Sequence, residues 1–173
     1  MANQENEAVV SINWKLVVVK TFQLSIFVAI AVLAPYFGHQ LITGSIVNAL
    51  LFISVITMGL ESAFLLCLVP SLISIYTGLF PVALAPMVPF IMTGNALLVL
   101  TFSKFSKNNF WLGAISASII KFIFIWGVGT LLANSVLYGI APKVAMIISW
   151  PQLATALAGA CIAYLFLKTI KKI

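Results

Sequence analysis

The sequence has no arginine, no aspartate, one histidine and three acidic residues, Glu5, Glu7 and Glu61. Charged residues make up 7% of its 173 positions. A water-soluble domain is about a quarter charged, because its surface has to face water. The shortage therefore excludes an ordinary soluble body and points to a surface that faces lipid. It also removes most routes to chemistry. No pair of carboxylates, metal-ligand cluster or phosphate-cradling glycine loop can be assembled, so neither an enzyme nor a metal site is expected. No ATP-binding motif is present, so active transport would need energy from a partner. Only two cysteines occur, Cys67 and Cys161, both inside apolar runs, which suits small core thiols better than a disulfide. The nine cations are all lysines, and no basic run alternates with aromatics, so nucleic acid is not an expected partner.

What is present is hydrophobic. Apolar residues make up 63% of the chain, gathered in long runs that are apolar all round. A membrane-crossing helix needs about 20 such residues, whereas barrel strands need apolar–polar alternation in pieces of about ten. The expected fold is all-α: a polytopic membrane protein, a bundle of six transmembrane helices. The runs lie at about residues 15–37, 43–60, 62–79, 82–102, 110–133 and 144–167. A polar tail covers residues 1–13, the membrane domain 14–168 and a basic tail 169–173. With six spans, Lys15, Lys20, Lys104, Lys107, Lys168, Lys171 and Lys172 fall on one side and Lys143 alone on the other. The excess of lysine near the membrane marks the cytoplasmic face, which places both termini in the cytoplasm.

Lys121 breaks the pattern. It lies about eleven residues into the fifth span, or about 16 Å deep at 1.5 Å per residue. That is too deep for its stem to reach water easily, and an ammonium there is costly without polar company. By helical spacing it shares a face with Ala114, Ala117, Ser118 and Ile125. Two uses are open: Lys121 lines a substrate cavity, or it pins helices together. Asn95 in the fourth span, Asn48 in the second and Gln152 in the sixth are the amides within reach of the same role. Asn95, Lys121 and Gln152 fall on three successive spans, which suggests a pocket. Trp126 and Trp150, on the outer halves of their spans, are candidates to stack a flat ring or to anchor the interface. His39, in the first outer loop, is a candidate to cover the pocket. Small residues four apart, Ser25 and Ala29, then Ala156 and Ala160, Gly159 and Ala163, allow helices to approach closely. They serve internal packing or the docking of another membrane protein.

Three stretches resemble a known family. They are Thr43-Gly44-Ser45-Ile46-Val47-Asn48-Ala49-Leu50, Pro89-Phe90-Ile91-Met92-Thr93-Gly94-Asn95 and Ser149-Trp150-Pro151-Gln152-Leu153. Together with the size and span count, they look like the substrate-binding S component of an energy-coupling factor (ECF) vitamin transporter. The resemblance implies a high-affinity binder of a vitamin or related micronutrient in a prokaryotic cytoplasmic membrane. The pocket would open outward and would be built from Asn48, Asn95, Lys121, Trp126, Trp150 and Gln152, with His39 above. It implies a transmembrane coupling subunit and two cytoplasmic ATPases as partners. The chain itself would bind no cofactor; ATP would be hydrolysed by the partner subunits. The family docks through small residues of its first helix, for which Ser25 and Ala29 are the nearest match. One lysine and several amides suit a small ring with hydroxyls or one anionic group, such as a pyrimidine- or pyridoxine-like ligand. The alternatives are a self-sufficient small transporter or channel, and a non-transporting membrane assembly factor.

Overall fold

A computed structural model describes residues 13–76, 82–135 and 150–173; those residues form helices and turns, with no strand among them. The helices are α1 (Trp14–Leu33), α2 (Gln40–Thr57), α3 (Leu60–Tyr76), α4 (Val88–Phe105), α5 (Phe110–Ser135) and α6 (Pro151–Thr169). Two 3-10 turns, Ala34–Phe37 and Val82–Met87, lead into α2 and α4. Five of the described helices, all but α3, are long and apolar enough to cross a membrane, as a multi-pass membrane protein requires. The expected loops at 78–81 and 136–143, Lys143, the start of the sixth span at 144–149 and tail residues 1–12 lie outside the described residues.

Local chemistry sets the helix starts. Asn13 caps α1, its side-chain oxygen accepting from the Leu16 N–H at 3.3 Å. Asn109 caps α5 more fully, accepting from Trp111 at 2.8 Å and Leu112 at 3.2 Å. Pro89 and Pro151 sit in the first turns of α4 and α6, where a missing N–H costs nothing. The fourth span departs from the expectation of one helix from residue 82. Its first six residues coil as a 3-10 turn containing Pro86, and the α-helix begins only at Val88. Proline's ring and lost donor disfavour a regular helical interior there. Helix α2 starts three residues early, at Gln40, and α5 continues to Ser135.

Serine and threonine side chains inside these helices satisfy themselves. Ser25, Ser45, Thr93, Ser116 and Thr169 each donate to the carbonyl four residues back, at 2.7–3.0 Å. This lets a hydroxyl face hydrocarbon without an unmet donor.

Pro35, Thr43, Ser71, Val88 and Gln152 line one cavity. The C-terminal parts of α1 and α3 and the N-terminal parts of α2, α4 and α6 therefore share one end of the bundle. The most extensive packing is between α2 and α6, followed by α4 against α5. The first of these rests on small residues. A Cβ placed on Gly159 would lie 2.8 Å from the Ala49 backbone nitrogen and 2.8 Å from the Ser45 carbonyl oxygen. Ala156, Ala160 and Ala163 are buried in the same core, so this small-residue face serves internal packing. Ser25 and Ala29 differ: both are exposed on α1, a helix of which only Phe27 and Ala31 are buried.

Candidate functional site

The bundle is layered along its length. At one end, the 3-10 turn that follows α1 packs over α2 through a bond from Thr43 Oγ1 to the Ala34 carbonyl at 2.9 Å. Beneath it lies a cavity of about 430 Å³. Its walls are partly apolar, with Ala31, Pro35, Val47, Val88 and Ile91, and partly polar, with His39, Gln40, Thr43, Ser71 and Gln152. Asn48, Asn95, Lys121 and Thr155 also line it.

These last four form a connected polar layer at mid-depth. Lys121 Nζ donates to Asn48 Oδ1 at 2.6 Å and to Asn95 Oδ1 at 2.7 Å. Asn48 Nδ2 donates to Thr155 Oγ1 at 3.4 Å, and Thr155 Oγ1 donates to the Gln152 carbonyl at 3.1 Å. One residue from each of α2, α4, α5 and α6 is thus tied into a single network. A lysine ammonium can only donate, which fixes both asparagines with their oxygens towards it. The three side chains are nearly inaccessible, with Lys121 and Asn95 4% exposed and Asn48 2%. Among the described residues, every buried side-chain nitrogen or oxygen has a partner.

The expected face of α5 is the one turned inward: Ala114, Ala117, Ser118 and Ile125 are all fully buried with Lys121. Gly94 makes room for it, since a Cβ there would meet Ile125 at 2.8–2.9 Å and the Lys121 stem at 3.6 Å.

Below this layer the bundle closes. Phe52 stacks edge-on against Phe102 at 4.7 Å, and Phe102 against Phe110 at 5.3 Å. Tyr164 joins Phe110 at 5.4 Å and Trp111 at 5.0 Å. Phe52 and Phe102 are fully buried, as are Leu98, Val99 and Leu167 in the same core. Beyond the rings come the lysines: Lys104 lies over Phe105 at 5.8 Å and Lys168 over Tyr164 at 6.0 Å.

Of the expected site residues, Asn48, Asn95 and Lys121 meet directly, while His39 and Gln152 line the cavity above them. Trp126 and Trp150 do not line it: they are 53% and 66% exposed. Trp126 follows Ile125, and one step along a helix turns the side chain about 100° away from the buried face. Thr43 and Gly44, from the first of the three family-like stretches, also contribute, as does Ser71, which sequence did not single out. No local signal marks Ser71, because it is an ordinary small residue until helix packing brings it to the cavity.

No family model, curated protein or solved structure matches this chain.

Proposed function

We propose that this chain is the membrane-embedded capture subunit of an ATP-driven importer of the energy-coupling factor type. It takes a vitamin or related micronutrient from outside the cell and delivers it inward with a transmembrane coupling subunit and two ATPases. The observation that carries the reading is a cavity with a polar floor, closed below by packed rings among the described residues. Asn48, Asn95 and Lys121 converge at its base, and the aromatic layer closes the bundle beneath them. The described lysines other than Lys121 cluster at the closed end. In a prokaryotic cytoplasmic membrane, that end and both termini face the cytoplasm and the cavity opens outward.

Membrane physics supports a ligand role for the floor. An ionisable group in a transmembrane segment usually faces a cavity and serves function. A self-sufficient channel is the weaker alternative, because fully buried, mutually packed rings at Phe52 and Phe102 lie directly beneath the polar layer. A purely structural assembly factor would have no use for a cavity of this size. The exposed face of α1 that carries Ser25 and Ala29 is the surface offered to the coupling subunit.

The test is co-purification and transport. Gently purified protein examined by native mass spectrometry is expected to carry a small organic molecule. Co-expression with a coupling subunit and two ATPases is expected to give a complex that accumulates this molecule in liposomes only with ATP. Uptake by the chain alone, without ATP, would reverse the assignment in favour of a self-sufficient transporter.

A further inference from the structure

The charge inventory of the cavity says more about what fits inside. Lys121 is buried, and both its hydrogen-bond partners are neutral amides. Among the described residues lining the cavity there is no carboxylate and no second lysine. The acids of the chain are Glu5 and Glu7, ahead of α1, and Glu61, in the opening turn of α3 at the sealed end. Amide oxygens stabilise an ammonium as dipoles, but they leave its charge unbalanced. A buried charge without an opposite charge is costly, the more so in a membrane. The bundle therefore presents an ammonium on a cavity wall with no counter-ion among the described residues around it.

Hydrogen-bond capacity agrees with the charge. An ammonium has three N–H donors, of which Asn48 and Asn95 take two. The third is available to a guest in the cavity that Lys121 lines. The two asparagines have turned their oxygens to the lysine, so what they offer a guest is N–H, Asn48 keeping one beside its bond to Thr155. The floor is thus a cluster of donors around one positive charge.

We propose that the cavity takes a small solute with a single negative charge, a monocarboxylate or an equivalent monoanion. Its charged group is seated on Lys121 between Asn48 and Asn95. The remainder of the solute fills the space bounded by Pro35, Val47, Val88 and Ile91. This deepens the capture reading, and rests on it for the cavity being a ligand site. A cation would face Lys121 directly. A dianion would bring a second charge that no other lysine among the described lining residues meets, leaving only the imidazole of His39 to face it. A cavity of about 430 Å³ holds a ligand of one or two rings.

The experiment uses four probes built on one ring: benzoate, benzamide, benzylamine and phthalate. Binding to the purified full-length protein is followed by ligand-observed NMR in a zwitterionic detergent, which carries no net charge. Benzoate is expected to bind at least tenfold more tightly than each of the other three. Lys121→Met should abolish that preference, while Lys121→Arg should retain it. Helical circular dichroism and a monodisperse elution profile identify variants that remain folded. If Lys121→Met fails this check, Asn95→Leu serves in its place and should reduce the benzoate preference at least threefold. Equal affinities, failure of all four to bind, or preference for the amide, amine or dianion overturns the proposal. Displacement of benzoate by phosphatidylglycerol vesicles but not by phosphatidylcholine vesicles would assign the anion to lipid and also overturn it. Failure here is separable from failure of the importer reading. ATP-dependent uptake of a neutral solute would leave the importer standing without the monoanion. Selective benzoate binding with no ATP-dependent uptake by the co-expressed complex would do the reverse.

Discussion

Asn48 and Phe52 are one turn apart on α2, yet they belong to regions of opposite character. Asn48 joins a hydrogen-bonded layer beneath a cavity; Phe52 joins a stack of packed rings. The same change occurs along α4 between Asn95 and Phe102, and along α5 between Lys121 and Phe110. Each of these helices is polar where it lines the cavity and aromatic near the lysine-bearing end. The contrast teaches a division of labour. Ring packing supplies shape and stability to the closed half, and that rigidity holds three polar side chains in register over the open half.

The largest blow to this division should come from the closed half. Phe102→Ala removes the ring shared by Phe52 and Phe110 and should cost about 3–5 kcal/mol. Thermal unfolding in detergent measures it, and a loss below about 1 kcal/mol would deny the rings their structural role. Gly159→Ala comes next, at about 1–3 kcal/mol, because the added methyl meets α2 backbone that cannot step aside. Gly44→Ala should cost less by the same assay, since the nearest atoms its methyl would meet belong to the Thr155 side chain and not to backbone.

In the open half, Asn48→Ala removes two interhelical hydrogen bonds and should lower stability by about 2 kcal/mol, at roughly 1 kcal/mol each. Its effect on ligand affinity, read by titration calorimetry with the co-purified molecule, should exceed its effect on melting. Equal effects in both assays would make the polar layer a helix pin and erase the contrast. Trp126→Ala should change least, within about 0.5 kcal/mol and without altering affinity, as expected for an exposed side chain away from such features.

Much of the helical architecture was legible because an apolar run of span length suits little besides a membrane-crossing helix. Lys121 was legible for the complementary reason, as an ammonium in such a run must have company. The amides Asn48, Asn95 and Gln152 were legible as candidate company; what chain order hid was which of them meets the lysine. Asn95, Lys121 and Gln152 stood out as a group on successive spans, while Asn48 lay two helices earlier. It reaches Lys121 because α2 packs against α6 and α4, a choice made by Gly159, Gly44 and the alanines across a long sequence separation. The tryptophans were ambiguous by composition, since an amphipathic ring suits a binding wall and a lipid interface alike. Only the rotation of α5 about its axis separates those uses for Trp126. The 3-10 entry to α4 was written in Pro86 and Pro89, but hydropathy alone reads straight through it.

The aromatic layer has an electrical consequence. Moving one elementary charge across a whole membrane at 100 mV is worth about 2.3 kcal/mol. If the cavity opens outward, as proposed, water filling it would carry the outside potential down to its floor, and most of the voltage would fall across the ring-filled half. An anion arriving at Lys121 would cross little of that field and could settle there at nearly the same affinity in an energised cell as in a detergent micelle. On the importer reading, the electrical work would be deferred to the step that releases it on the lysine-bearing side.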